Sequence, residues 1–246
     1  VEFFADPACP WCYIARQQLD KALEIVKKSK YEVDVRVIWK PWLADQETLP
    51  PAEGQPLAQY IKQGSLHAAR LMRLPGLAQG TAFTGWRWWP NSLQAQRLMI
   101  FLSDLGGHSV SLLAFDLLQR LTFEEGANIS LMRVLTAVAT ELGLEDPVTF
   151  FRSKSHHEQI LSLFAETRAR RTPGFRIYAT RYEHMGDFVM GADEEAILTA
   201  LSDLVLALRR RQGLEEPLKW WTPLLEVDNP KYRDLGPMPN QYEMHA

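Results

Sequence analysis

The chain's 246 residues and 28.2 kDa are enough to bury a full core without disulfide or metal staples, as one large domain or as a domain carrying a sizeable insertion. Hydrophobic residues make up 46% and charged residues 23%, ordinary globular proportions that argue against a disordered or fibrous chain. With a formal charge of -3, and no stretch near the ~20 apolar residues a bilayer requires, the composition gives no reason to expect nucleic acid or membrane as a partner.

Two short basic runs, Arg168 to Arg171 and Arg209 to Arg211, read as solvated helix ends that complement the helix dipole. The sequence opens at Val1, already inside the first predicted strand, so this start does not decide the compartment. Low cysteine usage fits a reducing compartment, and the expected location is the cytoplasm.

The apolar run Val1 to Ala5 predicts a strand, and Leu19, Leu23 and Val26 carry the helical spacing of a segment that reaches Lys28. Between them lies Cys9-Pro10-Trp11-Cys12, so both sulfurs are expected at the mouth of a helix. Orphan backbone N–H groups and the positive end of the helix dipole favour a thiolate on Cys9 there. Pro10 suits the first helical turn, where its missing N–H costs nothing.

Three other readings of the pair stand beside a redox dithiol. A zinc site would need two further ligands, and His156-His157 is the only adjacent histidine pair. A structural disulfide across so short a loop would remove little entropy from the unfolded chain. Two ordinary buried cysteines are the third reading, since isolated strings of this kind occur by chance. The placement between strand and helix favours the working dithiol.

Alternating β-branched and polar residues from Tyr31 to Trp39 predict a second strand, which completes a βαβ unit with parallel strands. Lys40-Pro41-Trp42 is expected to end it, and Leu49 to Pro56 reads as a loop. Helical patterns then follow at Leu57 to Leu74, Leu93 to Leu105, Val110 to Leu121, Ser130 to Leu142, Pro147 to Arg152 and Glu158 to Arg170. Asn91 or Ser92 is the expected cap of the second of these, and Asp146 that of the fifth. Among them lies an aromatic segment with Trp86, Trp88 and Trp89, which reads as packing inside the insertion. With Asn91, those tryptophans are also the candidate lining of a substrate pocket.

Strand character returns at Phe175 to Tyr178 and Phe188 to Met190, an expected antiparallel hairpin, and a long amphipathic helix follows from Asp193 to Arg211. Residues 212–246, with Trp220 and Trp221, read as an extended tail that wraps the domain or reaches a partner. The fold class is α/β. The expected units are a βαβ half over 1–48, a helical insertion over 49–170, a ββα half over 171–211 and the tail over 212–246.

This order resembles the thioredoxin fold interrupted by a helical domain, the layout of the DsbA-like family, and particular strings are similar to its FrnE-like branch. Asp6-Pro7-Ala8-Cys9-Pro10-Trp11-Cys12-Tyr13-Ile14 resembles that branch's active-site signature. Asn91-Ser92-Leu93 ahead of Arg97-Leu98 is similar to its helix start, and Phe123 to Gly126 with Asn128-Ile129 to its inter-helix turn. Thr172-Pro173-Gly174-Phe175 and Met190-Gly191-Ala192 fall where the family carries its cis-proline loop and the end of the next strand. The resemblance implies that Pro173 is cis and that Thr172 offers a backbone edge to an extended peptide beside Cys9. One departure is Phe3, which stands where thioredoxin and DsbA carry an acidic residue. Asp6 is then the nearest candidate base, although an Asp before Pro7 also suits turn chemistry.

The implied activity is that of a thiol-disulfide oxidoreductase or isomerase, with Cys9 and Cys12 catalytic and Pro10, Trp11, Asp6, Thr172 and Pro173 in support. No bound cofactor or metal is implied beyond the Cys9–Cys12 disulfide. Substrates would be protein thiols or disulfides, or glutathione as co-substrate, and the oligomeric state stays open between monomer and homodimer. Two alternatives remain. The related 2-hydroxychromene-2-carboxylate isomerases and kappa-class glutathione transferases suggest a glutathione-dependent enzyme for a small aromatic substrate. A redox-inert peptide-binding module would keep the same fold without the chemistry.

Overall fold

A computed structural model describes residues 1–28, 34–44, 49–63, 83, 85–167, 173–177, 188–190 and 194–211. The first half holds β1 (Glu2–Ala5), α1 (Pro10–Lys28), β2 (Ile38–Pro41), β3 (Gln55–Pro56), α2 (Leu57–Lys62) and β4 (Trp88–Trp89). Then come α3 (Leu93–Gly106), α4 (His108–Phe123), α5 (Met132–Glu141), α6 (Pro147–Arg152), α7 (His157–Thr167), β5 (Gly174–Arg176), β6 (Phe188–Met190) and α8 (Glu194–Arg211).

β1 is the strand on which the site depends. Its residues Phe3, Phe4 and Ala5 are buried, and it lies inside a four-stranded sheet of order β2-β1-β5-β6. β1 and β2 run parallel, with Glu2 opposite Ile38 and Ala5 opposite Pro41, and α1 is the crossover between them. β5 is antiparallel to β1, and β6 to β5. α1 buries Ile14, Ala15, Leu19, Ala22 and Val26 and packs against α8. The result is the expected thioredoxin fold, with a helical insertion between its βαβ and ββα halves.

Phe3 ties the two parts together. Its ring stacks on Phe175 across the sheet at 4.8 Å and meets Phe115 of α4 edge-on at 5.3 Å. Aromatic pairs of this geometry contribute roughly 0.5–1.5 kcal/mol beyond the area they bury. On the other face Glu2 bridges the neighbouring strands, with Arg176 at 3.0 Å and Lys40 at 3.6 Å.

The second strand is later and shorter than its alternation predicts. Residues 34–37 are not strand, and the pairing of β2 with β1 begins at Ile38, opposite Glu2. Pairing ends at Val1, whose carbonyl accepts from the Ile38 N–H and whose amino group donates to the Arg36 carbonyl. Pro41, expected as a terminator, is the last strand residue instead, which an edge strand tolerates. Residues 31–33, the rest of the helix predicted to Leu74, Thr172, the Gly191-Ala192 string, Asp193 and the tail lie outside the described residues.

The insertion also holds a feature the sequence did not reveal, a two-stranded antiparallel ladder with Gln55 opposite Trp89 and Pro56 opposite Trp88. It presents the tryptophan segment to a second apolar cluster of Ile14, Leu57, Tyr60, Phe83, Trp86, Trp89 and Phe123. Asp146 caps α6 as expected, accepting from the Thr149 N–H at 3.0 Å. Arg97, 2% exposed, donates to the carbonyls of Phe150, Ser153 and Ser155 where α6 ends.

Beneath the aromatic cluster the chain makes a close crossing. Gly126 has φ +72°, and a Cβ there would stand 2.5 Å from the Gly85 carbonyl oxygen. Gly126→Ala is therefore expected to destabilise the fold by about 1–3 kcal/mol, from the left-handed backbone and the clash together. Urea denaturation checks this as a lower midpoint with an unchanged slope, whereas a wild-type midpoint would mean that the crossing gives way freely.

Candidate active site

β1 delivers the chain to a turn whose first residue is Asp6, and α1 begins four residues later at Pro10. The Trp39 indole N–H holds the end of β1 through the Ala5 carbonyl at 2.9 Å, and the Cys9 N–H closes the turn onto the Asp6 carbonyl at 3.0 Å. Cys9 thus occupies the cap position of α1. Its carbonyl accepts from the Tyr13 N–H at 3.1 Å, and its Sγ accepts from the Cys12 N–H at 3.4 Å. A sulfur in the place of a capping oxygen takes one of the orphan donors of the first turn.

Cys12 lies one turn into the helix. Its Sγ accepts from the Asp6 backbone N–H at 3.4 Å, and both cysteines are free thiols. Burial pushes the Cys12 thiol well above its ordinary value. The hydrogen bond and charge of Cys9 push the same way, as does the charge of Asp6, while the Asp6 N–H pulls weakly against them. Cys12 therefore holds its proton, as suits a second sulfur that acts only after the first has reacted.

Exposure departs from expectation. A nucleophile at the helix mouth is expected to be open to solvent, but Cys9 is 1% exposed and Cys12 is fully buried. The turn folds Cys9 back against the end of an inner strand, where it joins the core cluster that holds Phe4, Ala5 and Trp42. Attack on Cys9 by an incoming sulfur would require a local opening of the fold, of the kind that costs little near many functional sites.

Asp6 shows the turn chemistry considered for it in the sequence. Its Oδ1 accepts from the Ala8 N–H at 2.8 Å, the expected turn chemistry, while Oδ2 accepts from the Ala44 N–H at 2.9 Å. The residue is 2% exposed. Burial pushes its carboxyl up to about 6, against the pull of the Ala44 and Ala8 N–H groups and the Ser92 and Gln96 side chains. Gln96 also donates to the Trp42 carbonyl and to Ser92 Oγ. Sequence reasoning missed Gln96, whose signal is an uncharged polar residue on an otherwise apolar helix face with Ala95, Leu98 and Met99.

The remaining candidates are spread around this centre. Pro10 is buried and Trp11 half-buried against the core. Pro173 is buried and immediately precedes Gly174, which pairs with Phe4, so the segment entering β5 runs beside the segment leaving β1. Trp86 and Trp89 pack inside the second cluster, Trp89 stacked on Tyr60 at 4.4 Å, while Trp88 is half-buried. Asn91 is spent on the backbone. Its amide donates to the Pro50 carbonyl, and its oxygen accepts from the Leu93 N–H at the start of α3. Among the described residues no group of three or more His, Cys, Asp or Glu is placed to hold a metal ion, and no helix is long and apolar enough to cross a membrane.

Comparison with known proteins places this geometry in context. A chain of 22% identity, the cytosolic disulfide reductase DsbM from Pseudomonas aeruginosa, aligns over 87% of this chain and 98% of its own, with a TM-score of 0.48. The same protein solved with GSH gives the same figures. A candidate protein disulfide isomerase from Nitrosomonas europaea is 17% identical over 86% of this chain and 97% of its own, with a TM-score of 0.55, a likeness of fold. No curated protein matches. A model of the DSBA-like thioredoxin domain matches residues 1–199, the stretch that holds the sheet, the insertion and both cysteines. The chain belongs to the DSBA-like thioredoxin-domain family.

Proposed function

We propose that the chain is a thiol-disulfide oxidoreductase or isomerase with Cys9 as the attacking sulfur and Cys12 as the resolving one. The observation that carries this reading is the pairing of a capping sulfur with a buried one three residues on, the first stabilised by a helix N–H and the second held protonated. In the reducing direction the Cys9 thiolate attacks one sulfur of a substrate disulfide and the other leaves as a thiolate. Cys12 then gives up its proton and attacks Cys9, releasing the second substrate thiol and leaving a Cys9–Cys12 disulfide. Two electrons pass to the substrate, and the reverse sequence oxidises it. Glutathione is a candidate donor of electrons in the first direction. The packing of Trp86 and Trp89 supports this reading over a glutathione-dependent enzyme for aromatic substrates, which would need those rings to line an open pocket.

The proton on Cys12 needs an acceptor, and Asp6 is the proposed one. Its backbone touches the Cys12 sulfur, and its carboxyl lines a cavity of about 10 Å³ with Ser92, Ala8 and Ala44. The carboxylate form, which accepts the proton, is populated above about pH 6.

Three expectations follow for solution measurements. Cys9→Ser is expected to abolish reduction of insulin or a small aromatic disulfide, while Cys12→Ser accumulates a stoichiometric mixed disulfide at Cys9, visible by mass spectrometry. Two cysteines that stay unreactive for hours in the folded protein yet react at once in urea would remove the oxidoreductase reading. For Asp6, single-turnover release of thionitrobenzoate from its Cys9 mixed disulfide is expected to speed up as pH rises through about 6. Asp6→Asn should flatten that rise and slow release about tenfold or more. A pH profile unchanged by Asp6→Asn would sink the proton-acceptor role. Stability is expected to move the opposite way, because the folded carboxyl binds its proton more tightly than the unfolded one. The Asp6 contribution is fully present below the ordinary value of 3.8 and is lost as pH rises through about 6. Relative to Asp6→Asn, the wild-type chain should therefore lose about 3 kcal/mol of unfolding free energy between pH 3 and pH 8.

A further inference from the structure

A groove of about 430 Å³ runs between α1 and α4, beginning at Tyr13, the residue after Cys12. Along α1 it follows Tyr13, Arg16 and Asp20, one face of the helix, for about 10 Å at ~1.5 Å per residue. That span matches about three residues of extended chain at ~3.3 Å each. Its volume lies in the range of about 300–1,000 Å³ usual for ligand sites.

The lining has a definite chemical character. Leu113, 57% exposed on α4, joins Leu117 and Leu142 as apolar wall. Both arginines in the groove are already engaged. Arg16 is shared between Asp20 and Asp116, two carboxylates on one guanidinium, and Arg120 pairs with Glu125 at 3.1 Å. Glu124 accepts a hydrogen bond from the neutral Tyr13 hydroxyl, and neither it nor Glu141 has a cationic partner among the described residues. The groove is therefore net negative, with apolar walls below exposed carboxylates.

A second observation points to an occupant. Gln119 lines the same groove, is 1% exposed, and its amide nitrogen meets no hydrogen-bond partner among the described residues. A buried donor without an acceptor is a standing cost that an arriving carbonyl would relieve. The terminal amide torsion of glutamine is broad, so a modest rotation would turn that nitrogen towards a carbonyl laid in the groove.

From this combination we propose that the α1–α4 groove binds a lysine- or arginine-bearing segment of the polypeptide substrate, close in sequence to the cysteine that meets Cys9. The basic side chain lays its aliphatic stem on the apolar wall and pairs its charged end with one of the two exposed carboxylates, Glu124 or Glu141, while a main-chain carbonyl takes the Gln119 amide. The occupant is a peptide because the site asks for a cation, a long apolar stem and a carbonyl acceptor together. This proposal rests on the oxidoreductase reading and assigns it a substrate class, polypeptides with basic residues flanking the reactive cysteine.

The test separates the two readings by using peptides without cysteine. Fluorescence anisotropy compares a labelled, serine-substituted peptide carrying two lysines with its counterpart carrying two glutamates. The lysine peptide is expected to bind at least tenfold more tightly at 50 mM salt, with the gap closing at 500 mM as screening sets in. Glu124→Gln combined with Glu141→Gln should abolish the preference, and Glu124→Lys combined with Glu141→Lys should reverse it. These carboxylates are exposed, and far-ultraviolet circular dichroism verifies that each variant is folded. Equal affinity for the two peptides, or a preference that survives both double variants, overturns the proposal. Turnover of a small uncharged disulfide by the wild-type chain reports separately on the dithiol. If that turnover fails while the peptide preference holds, the groove stands and the redox reading falls.

Discussion

Two backbone N–H groups end on sulfur, and the arrangement of the site follows from that. The Cys12 N–H ends on Cys9 Sγ and the Asp6 N–H on Cys12 Sγ, so the turn between β1 and α1 is closed onto the two free thiols. Hydrogen bonds to sulfur are long and individually weak, but here they orient both side chains along one short stretch of backbone. The Trp39 indole and the Ala44 N–H secure that stretch from the neighbouring chain, the first through the Ala5 carbonyl and the second through the Asp6 carboxylate. Oxidation would replace the thiols by a covalent bridge without requiring the turn to be rebuilt, since the constraints fall on the backbone.

The loss of an acid at position 3 is what joins the insertion to the sheet. Phe3 stacks against Phe175 and abuts Phe115, so the side chain that would carry a proton relay serves instead as an apolar pin between β1, β5 and α4. The carboxyl that remains near the sulfurs is on the other side of the turn, at Asp6, and its surroundings come from the insertion, through Ser92 and Gln96 at the start of α3. The helical insertion thereby reaches the surroundings of the dithiol. It supplies two of the groups that decide how readily Asp6 ionises.

Much of this was legible in the sequence, because periodicity and capping are local. Long amphipathic helices announced themselves: α3, α4 and α5 begin and end within two residues of where their patterns place them, and α6 starts at the cap Asp146 supplies. The dithiol at the mouth of α1 was equally plain from strand, motif and helix in succession. What the sequence could not carry was pairing. Val35 and Val37 alternate with polar residues as a strand should, yet β2 covers only the residues that face β1, from Ile38 to Pro41, and which residues face it depends on the partner strand. The ladder of β3 with β4 joins segments more than thirty residues apart, and Pro56 on one side argues against a strand while the Trp88-Trp89 pair is too short a run to mark one. Gln96 was illegible for a related reason, since a glutamine on a helix becomes a site residue only when the fold brings Asp6 and Trp42 beside it.

The burial of both cysteines and of Asp6 narrows the charge states the pocket can hold. Each additional negative charge in so dry a place is costly, and the groups feel one another, since an ionised Asp6 and the Cys9 sulfur both strengthen the hold of Cys12 on its proton. A Cys12 thiolate beside an ionised Asp6 is therefore the state most strongly disfavoured. Moving the Cys12 proton onto Asp6 leaves the total charge unchanged and only relocates it, from a carboxylate that four donors solvate to a sulfur about to be consumed by bond formation. The pocket thus suits a transfer in which the proton departs as the S–S bond closes, and it resists any sequence in which the second thiolate waits in the open. In the proposed mechanism that asymmetry keeps Cys12 protonated until a mixed disulfide at Cys9 brings a leaving group within reach.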